Sequence, residues 1–166
     1  MPGRATTPPM ITLQQAGPSD AETVLRFIRA LAEFEDEPNA VEVDADTLRR
    51  QLAQQPAPFE CWLACDGTEP VGFALMFPTY STWRGRPGIW LEDLFVLPSH
   101  RGRGVGRRLL EHVAHLAVER GCGRLEWSVL DWNTDAIAFY KRLGAERMTE
   151  WTTCRVSRGA LAALAR

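Results

Sequence analysis

The 166-residue sequence predicts a mixed α/β fold, with helices on both faces of one central sheet. Three observations support this class. An apolar stretch at residues 89–97 runs into a glycine-rich loop that opens directly into a helix. Residues 60–77 contain two strand-like stretches on either side of Asp66-Gly67, a strong signal for a β-hairpin. Apolar side chains also recur at helical spacing near the start: Val24, Phe27, Ile28, Leu31 and Phe34.

The elements before the hairpin are a strand and two helices. Ile11 and Leu13 alternate as a first strand. Ser19 and Glu22 form a capping box that begins a helix of about four turns. A shorter helix follows and ends before Pro56.

The elements after the central strand are two helices and three strands. The first helix begins at Gly104 and ends at Gly121. A strand follows at residues 125–129.

The last part of the chain predicts a short helix and a final pair of strands. Either Asn133 or Thr134 caps the helix, and Gly144 ends it. Residues 145–148 and 151–156 predict the antiparallel pair. The predicted order is therefore β-α-α-β-β-β-α-β-α-β-β.

Composition favours one domain at residues 11–156, flanked by tails at 1–10 and 157–166. The Ala/Leu-rich tail at the end predicts a helical turn. The proline-rich start lacks the apolar core of a signal peptide, and no apolar run reaches 18 residues, so we expect a cytoplasmic protein. A formal net charge of -2 gives no case for nucleic acid or membrane partners.

Cysteine and histidine spacing predicts no metal site. The four cysteines lack a C-x-x-C pattern and are expected to be reduced: Cys61, Cys65, Cys122 and Cys154. His112 and His115 could share a helix face. Without a third ligand nearby, they are interpreted as surface residues.

The loop at residues 101–107 predicts a phosphate site. Glycines at 102, 104 and 106 leave the backbone N–H groups accessible, and the helix that follows has unpaired N–H groups at its start. An ATP-binding P-loop needs Lys-Ser/Thr where this sequence has Arg107-Arg108. The dinucleotide fingerprint needs one more residue between its last two glycines. A merely flexible basic loop is the remaining alternative.

The pattern Arg101-x-x-Gly104-x-Gly106 after an apolar strand resembles the acetyl-CoA pyrophosphate loop of the GNAT N-acetyltransferase superfamily. Further stretches resemble its diamine (spermidine/spermine and thialysine) N-acetyltransferase branch: residues 28–35, 79–83, 90–96, 131–133 and 139–142. The resemblance implies a GNAT-like, mostly antiparallel sheet with splayed strands. It also implies acetyl-CoA as co-substrate, no metal, a small cationic amine as acceptor, and a homodimer.

The resemblance implies that acetyl-CoA lies along the central strand and the glycine-rich loop. A free N–H near Val96 would polarise the thioester carbonyl, and basic residues would face the phosphates. Lys141 is the only lysine of the chain. The implied cofactor residues are Leu94, Phe95, Val96, Arg101, Gly102, Arg103, Gly104, Val105, Gly106, Arg107, Asn133, Phe139, Lys141 and Arg142.

Two residues are the candidate catalysts. An alkylamine is almost fully protonated at pH 7, so a base is needed, and Glu92 is the candidate, directly or through a water. The alternative for Glu92 is a carboxylate that only attracts the cation. Strand alternation predicts that Asp93 points to the opposite face from Glu92. Tyr140 matches the general acid of the family, the alternative being a tyrosine that only packs its ring.

Acidic and aromatic residues predict the groove for a cationic acceptor. The set is Glu33, Glu35, Asp36, Tyr80, Trp83, Glu92, Asp93 and Trp151. A solvated acidic loop is an equally good interpretation of the stretch at 33–37. Two other functions stay open at this point: a protein or peptide N-acetyltransferase, and an acyl-CoA-binding sensor without turnover.

Overall fold

The computed structural model describes residues 11–166, and the predicted tail at 1–10 lies outside these residues. The chain forms two compact units, of which the first ends at Ser128 and the second covers Val129–Arg166. The strands of the first unit are β1 (Ile11–Gln15), β2 (Glu60–Asp66), β3 (Glu69–Ser81), β4 (Arg86–Val96) and β5 (Leu125–Glu126). Its helices are α1 (Ala21–Phe34), α2 (Ala45–Leu52) and α3 (Val105–Glu119).

The five strands form one mixed sheet in the order β1-β2-β3-β4-β5. The first three pairings are antiparallel, and the pairing of β4 with β5 is parallel. This last pairing joins only Ile89 to Leu125 and Trp90 to Glu126. Beyond Trp90, β4 therefore continues without β5 beside it. The predicted mixed, mostly antiparallel sheet is confirmed.

Helices cover both faces of this sheet. On one face the ring of Phe27, in α1, stacks on Phe73 of β3 with their centroids 5.4 Å apart. On the other face the Trp62 ring of β2 contacts the His112 ring of α3 at 4.0 Å. Because Trp62 pairs with Ala74, and Ala74 follows Phe73, these two contacts lie on opposite faces. We call them the α1 face and the α3 face.

One residue of β4, Glu92, has no partner of its own in the ladder. Leu75 pairs with Asp93 and Met76 pairs with Leu91, so Glu92 is the extra residue of a β-bulge. The extra residue reverses the alternation of the side chains along β4. Leu91 lies on the α3 face, whereas Asp93 lies on the α1 face.

Helix α3 has the bounds that the sequence predicts. Gly104 precedes it at φ +79°, and Gly121 follows its last turn at φ +66°. Both angles are in the left-handed region, which glycine adopts without strain. His112 of this helix was predicted at the surface, and this is wrong: its ring is half-buried against Trp62, and burial lowers its pKa.

The second unit contains helices α4 (Thr134–Arg142) and α5 (Arg158–Leu164). The Asn133 side chain accepts a hydrogen bond from the Ala136 N–H at 3.2 Å and thus caps α4. The predicted strands at 145–148 and 151–156 are wrong, because both segments are irregular. A strand needs a neighbouring strand for its backbone hydrogen bonds. In residues 11–166 the sheet contains β1 to β5, and neither segment is part of it.

Three further outcomes concern boundaries and membranes. The strand predicted at 125–129 ends at Glu126, because its pairing with β4 stops there. The single domain predicted at 11–156 stays a prediction. Across residues 11–166, no helix is both long enough and apolar enough to cross a bilayer.

We predict that Gly72→Ala destabilises the protein by about 1–3 kcal/mol. A Cβ atom at this position would lie 2.8 Å from the Phe95 carbonyl oxygen of the neighbouring strand. Gly17→Ala is the matched control, because its Cβ would meet only Asp20 Oδ2 at 4.0 Å. Urea unfolding of both variants measures the difference. Equal free energies of unfolding would contradict the close approach of β3 and β4 at Gly72.

Candidate active site

The backbone of β4 has an open edge at Leu94 and Val96. The Leu97 N–H donates to the Val71 carbonyl at 2.9 Å, so residue 97 bonds toward β3. In an antiparallel ladder the direction of the backbone groups alternates, and Leu94 and Val96 therefore point their N–H and C=O groups away from β3. Strand β5 does not reach them, because its ladder ends at Trp90. Both backbone groups of Leu94 and the Val96 N–H are available to an extended polar ligand, whereas the Val96 carbonyl already accepts from Arg101.

The glycine-rich loop lies between this edge and α3. Gly102 has φ +73° and Gly104 has φ +79°, and a Cβ at either position would meet open space. Glycine is needed there for its backbone angles and not to avoid a clash. The first helical bond runs from the Arg108 N–H to the Gly104 carbonyl. The N–H groups of residues 105–107 precede that bond and can donate hydrogen bonds to an anion.

Arg101 is turned toward the end of β4. Its Nε donates to the Val96 carbonyl at 2.9 Å. Its guanidinium lies 4.7 Å from the centre of the Phe34 ring and 5.3 Å from that of Phe95. One side chain thus joins the loop to β4 and to the end of α1. Its contact with a CoA phosphate stays a prediction.

The other two loop arginines are exposed and differ in their partners. Arg107 donates from Nε to Glu111 Oε1 at 2.6 Å, one turn further along α3. Arg103 lies at the exposed tip of the loop. Both extend positive charge beside the helix start, where an anion would be attracted.

The bulge brings Glu92 and Asp93 to the same face of the sheet, and we call them the carboxylate pair. Because Leu91 lies on the α3 face, Trp90 and Glu92 lie on the α1 face with Asp93. The Trp90 indole Nε1 donates to Glu92 Oε2 at 2.7 Å, as expected for neighbours on one face. The predicted placement of Glu92 and Asp93 on opposite faces is therefore wrong, because it assumed regular alternation.

Asp93 is the carboxyl group of the site with the most perturbed environment. Burial, followed by the charges of Glu92 and Glu35, raises its pKa to about 7. Burial also raises the pKa of Glu35, which ends α1. Cys61 lies across the sheet on this face, and burial followed by the charges of Asp93 and Asp20 raises its pKa to about 12. Asp93 thus titrates near neutral pH.

The three acidic residues at the end of α1 have different surroundings. Glu35 acts on Asp93 through its charge. Glu33 instead lines a shallow groove on the outer side of α1, together with Arg26 and Arg29. Asp36 is exposed at φ +65°. Of these three acids, the structure brings Glu35 to the carboxylate pair.

The two aromatic residues of the β3–β4 hairpin lie far from the carboxylate pair. Tyr80 is 63% exposed and Trp83 is 90% exposed, near the turn that follows the Ser81–Arg86 pairing. At about 3.3 Å per strand residue, this turn lies roughly 20 Å from Asp93. Within one chain the long hairpin therefore keeps Tyr80 and Trp83 away from Glu92, and their part in an acceptor groove stays a prediction.

The second unit carries the other predicted residues. Phe139 and Tyr140 are half-buried on α4, with their ring centroids 5.2 Å apart. Lys141 and Arg142 are exposed in the last turn of this helix, where their positive charge also stabilises the negative end of the helix dipole. Trp151 is 67% exposed in the irregular segment. Among residues 11–166, no three His, Cys, Asp or Glu side chains form a metal-ligand group.

Residues 26–145 match the acetyltransferase (GNAT) family. The chain belongs to the GNAT family. It is an N-acetyltransferase, and its resemblance to the diamine branch is confirmed by the relatives that follow.

Two curated relatives and one solved structure illustrate the similarity. A thialysine N-epsilon-acetyltransferase of Mus musculus is 36% identical over 164 residues, covering 92% of this chain and 96% of the relative. An L-ornithine N5-acetyltransferase of Arabidopsis thaliana is 44% identical over 93 residues, covering 56% of this chain and 41% of the relative. An integron cassette protein of V. cholerae has the same fold, with a TM-score of 0.78, 24% identity, and coverage of 94% and 98%.

Sequence patterns alone missed two features of this site. The bulge at Glu92 was missed, although two consecutive acids inside an apolar strand are the signal that could have revealed it. The inward turn of Arg101 was missed because a loop arginine gives no sign of which carbonyl it will reach.

We predict that Arg101→Ala lowers the free energy of unfolding by about 1 kcal/mol. The variant loses a charged hydrogen bond and a cation–π contact, both of them at an exposed side chain. Arg103→Ala, in the same loop, should change stability by less than about 0.5 kcal/mol. Thermal or urea unfolding measures both. If the two variants had equal stability, Arg101 would not hold the loop to β4.

We predict that Asp93→Asn stabilises the protein at neutral pH, by roughly 2–4 kcal/mol. A carboxyl whose pKa is raised on folding favours the folded state below its unfolded pKa, near 4, and loses this effect as pH rises to about 7. The advantage of the variant should therefore grow between pH 4 and pH 7 and vanish below pH 4. Urea unfolding at several pH values measures it, and a constant difference would contradict the burial of Asp93.

Proposed function

We propose that this enzyme transfers acetyl from acetyl-CoA to the primary amine of a small cationic acceptor, which is a diamine, a polyamine or a thialysine-like amino acid. The observation that carries the proposal is the position of the carboxylate pair on β4, directly before the open edge at Leu94 and Val96. An ammonium group and a thioester bound at these two places would be neighbours. The proposal includes a homodimer, which the family resemblance suggests.

The open edge and the glycine-rich loop support the binding of acetyl-CoA. Amide groups of the pantetheine chain can pair with the N–H and C=O groups that β5 leaves without a ladder partner. The diphosphate can accept hydrogen bonds from the N–H groups at the start of α3, next to Arg103 and Arg107. We propose that the Val96 N–H polarises the thioester carbonyl. Leu94, Phe95 and the glycines complete this cofactor site.

The chemistry is direct attack of the amine on the thioester. The acceptor ammonium must first lose a proton, and a member of the carboxylate pair accepts it. The sequence favours Glu92 for this step. The amine nitrogen then forms a bond to the acetyl carbon while the bond from carbon to sulfur breaks. We propose that the Tyr140 hydroxyl protonates the departing thiolate, and that Asn133, Phe139, Lys141 and Arg142 on or before α4 bind the CoA chain and phosphates.

The preference for a cationic acceptor rests on charge. Beside burial, the charges of Glu92 and Glu35 raise the pKa of Asp93, and a bound cation would relieve that repulsion. The relatives are named for thialysine and L-ornithine, both amino acids with a side-chain amine. The acids Glu33 and Asp36 lie at the same end of α1 and extend its negative charge.

The alternatives differ in what they predict. A peptide N-acetyltransferase would acetylate a neutral or acidic peptide N-terminus as well as a diamine. A sensor without turnover would bind acetyl-CoA and release no thiol with any amine. The polar edge of β4 suits binding in both cases, whereas a carboxyl group that titrates near pH 7 favours proton transfer and so favours the enzyme.

We predict thiol release from acetyl-CoA with small cationic amines. The panel contains thialysine, ornithine, lysine, spermidine, a diamine, an aminoglycoside and a neutral peptide. Tyr140→Phe should lower kcat by roughly 10²-fold, the scale of one acid catalyst, while the Kd for CoA measured by calorimetry stays unchanged. Absence of thiol release with every amine would overturn the proposed function. An unchanged kcat in Tyr140→Phe would remove only this tyrosine from the mechanism.

A further inference from the structure

The glycine-rich loop is preceded by one turn of 3-10 helix, Pro98–His100, which carries a shielded histidine. The side chain of His100 is only 14% exposed, although the residues on either side of it are exposed. Shielded polar groups in folded proteins normally have hydrogen-bonding or charged partners. The partners of this ring therefore show what the turn is attached to.

Both ring nitrogens of His100 have a partner. Nδ1 lies 2.9 Å from the hydroxyl oxygen of Ser99. Nε2 lies 3.5 Å from Asp66 Oδ2, within ion-pair distance. In the neutral ring Nδ1 can accept from the hydroxyl while Nε2 carries its hydrogen toward the carboxylate, and the protonated ring donates from both nitrogens. The contact with Asp66 is therefore attractive in either charge state.

Asp66 belongs to a different part of the sheet. It is the last residue of β2, directly before the tight turn into β3. The β-ladder holds it in place, because Asp66 pairs with Ile11 of β1 on one side and with Glu69 of β3 on the other. The contact between His100 and Asp66 thus joins the β2–β3 turn to the residue directly before Arg101.

We propose that His100, held by Asp66, is a positioning residue that keeps the glycine-rich loop in its binding conformation and so raises the affinity for CoA. It acts through the backbone of the loop and not by touching the phosphates. This inference rests on the proposed function, in which the loop binds the diphosphate, and it adds a residue from outside the proposed cofactor site.

The loop needs an anchor because its own residues restrain it little. Gly102 and Gly104 have left-handed backbone angles, and a Cβ atom at either position would meet open space. Glycine has the greatest backbone freedom of all residues, so ordering the loop around a diphosphate costs conformational entropy. When the binding conformation is only partly populated, the apparent Kd rises in inverse proportion to that population. An anchor that is present before binding therefore lowers the Kd.

His100 and Arg101 tie adjacent residues to different neighbours. The Arg101 side chain reaches the Val96 carbonyl and the rings of α1 and β4, whereas His100 reaches the β2–β3 turn. A backbone bond closes the turn itself, because the His100 N–H donates to the Leu97 carbonyl at 2.8 Å. Two neighbouring side chains held at separate points fix the direction in which the chain enters Gly102.

The test is the Kd for CoA, measured by calorimetry, together with the kinetics of thiol release. His100→Ala should raise the Kd for CoA and the KM for acetyl-CoA by roughly three- to fivefold, the scale of one partly exposed ion pair. The kcat and the KM for the amine should change by less than about twofold, because the carboxylate pair and the open edge stay intact. His100→Gln keeps an N–H donor for Asp66 and should restore most of the affinity.

His115 provides the matched control. Its Nε2 lies 3.2 Å from Glu119 Oε1, so it forms a contact of the same kind, but both side chains are exposed in the last part of α3. At 1.5 Å per residue, His115 lies roughly 15 Å along the helix from Val105. His115→Ala should therefore leave the Kd for CoA unchanged. An equal rise in His115→Ala and His100→Ala would overturn the inference.

A second pair of variants does not depend on the folding of His100→Ala. Asp66→Ala removes the other partner and should raise the Kd for CoA by the same factor. Glu69→Ala removes the same charge from the residue that faces Asp66 in the ladder. Loss of a negative charge alone favours an anion, so Glu69→Ala should leave the Kd unchanged or slightly lower. Combining His100→Ala with Asp66→Ala should add nothing, because both remove one contact.

The remaining outcomes separate this inference from the proposed function. If His100→Ala or Asp66→Ala lowered the free energy of unfolding and left the Kd for CoA unchanged, the contact would be purely structural, and the inference alone would fall. If His100→Gln bound CoA as weakly as His100→Ala, the nitrogen contact would not be the anchor, and the inference would fall as well. If the unmodified protein did not bind CoA, the proposed function itself would fail, and the inference with it.

Discussion

The β-bulge at Glu92 is the constraint on which the site depends. It is a difference of a single residue between two paired strands, yet it changes which face every later side chain of β4 occupies. Phe95 can pack into the core beneath α1 because of it, and Asp93 comes to lie beside Glu35. Up to the bulge β4 is a regular strand that still pairs with β5, and after it the strand has an open edge. The strand pairing of β4 therefore changes next to the residues that carry the carboxylate pair.

The sequence predicted the fold well where periodicity is strong. The hairpin, the central strand, α1 and α3 all follow from apolar spacing together with glycine signals, which are local properties of the chain. The glycine-rich loop was predicted for the same reason, since a left-handed angle at Gly104 is a demand on a single residue. The capping box predicted at Ser19 and Glu22 is wrong, because Asp20 is the N-cap of α1 and its carboxylate accepts from the Gly17 N–H at 2.8 Å.

The errors concern features that depend on distant partners. Whether residues 151–156 form a strand depends on a neighbouring strand, and alternating side chains cannot supply one. Likewise, the relative faces of Glu92 and Asp93 depend on the register between β4 and β3, and the local sequence around these two residues does not determine that register. The long hairpin that separates Trp83 from Asp93 is also a matter of pairing and not of composition.

Arg101 has a consequence for how the molecule opens. Its guanidinium is shared between a carbonyl at the end of β4, a ring of that strand and a ring at the last turn of α1. If the glycine-rich loop loosens, Arg101 loses its contacts with the end of β4 and with the last turn of α1. We therefore expect the amide hydrogens of this last turn and of the loop to exchange with solvent as one cooperative unit. Whatever steadies the loop, a bound nucleotide included, would then also steady the helix end that carries Glu35.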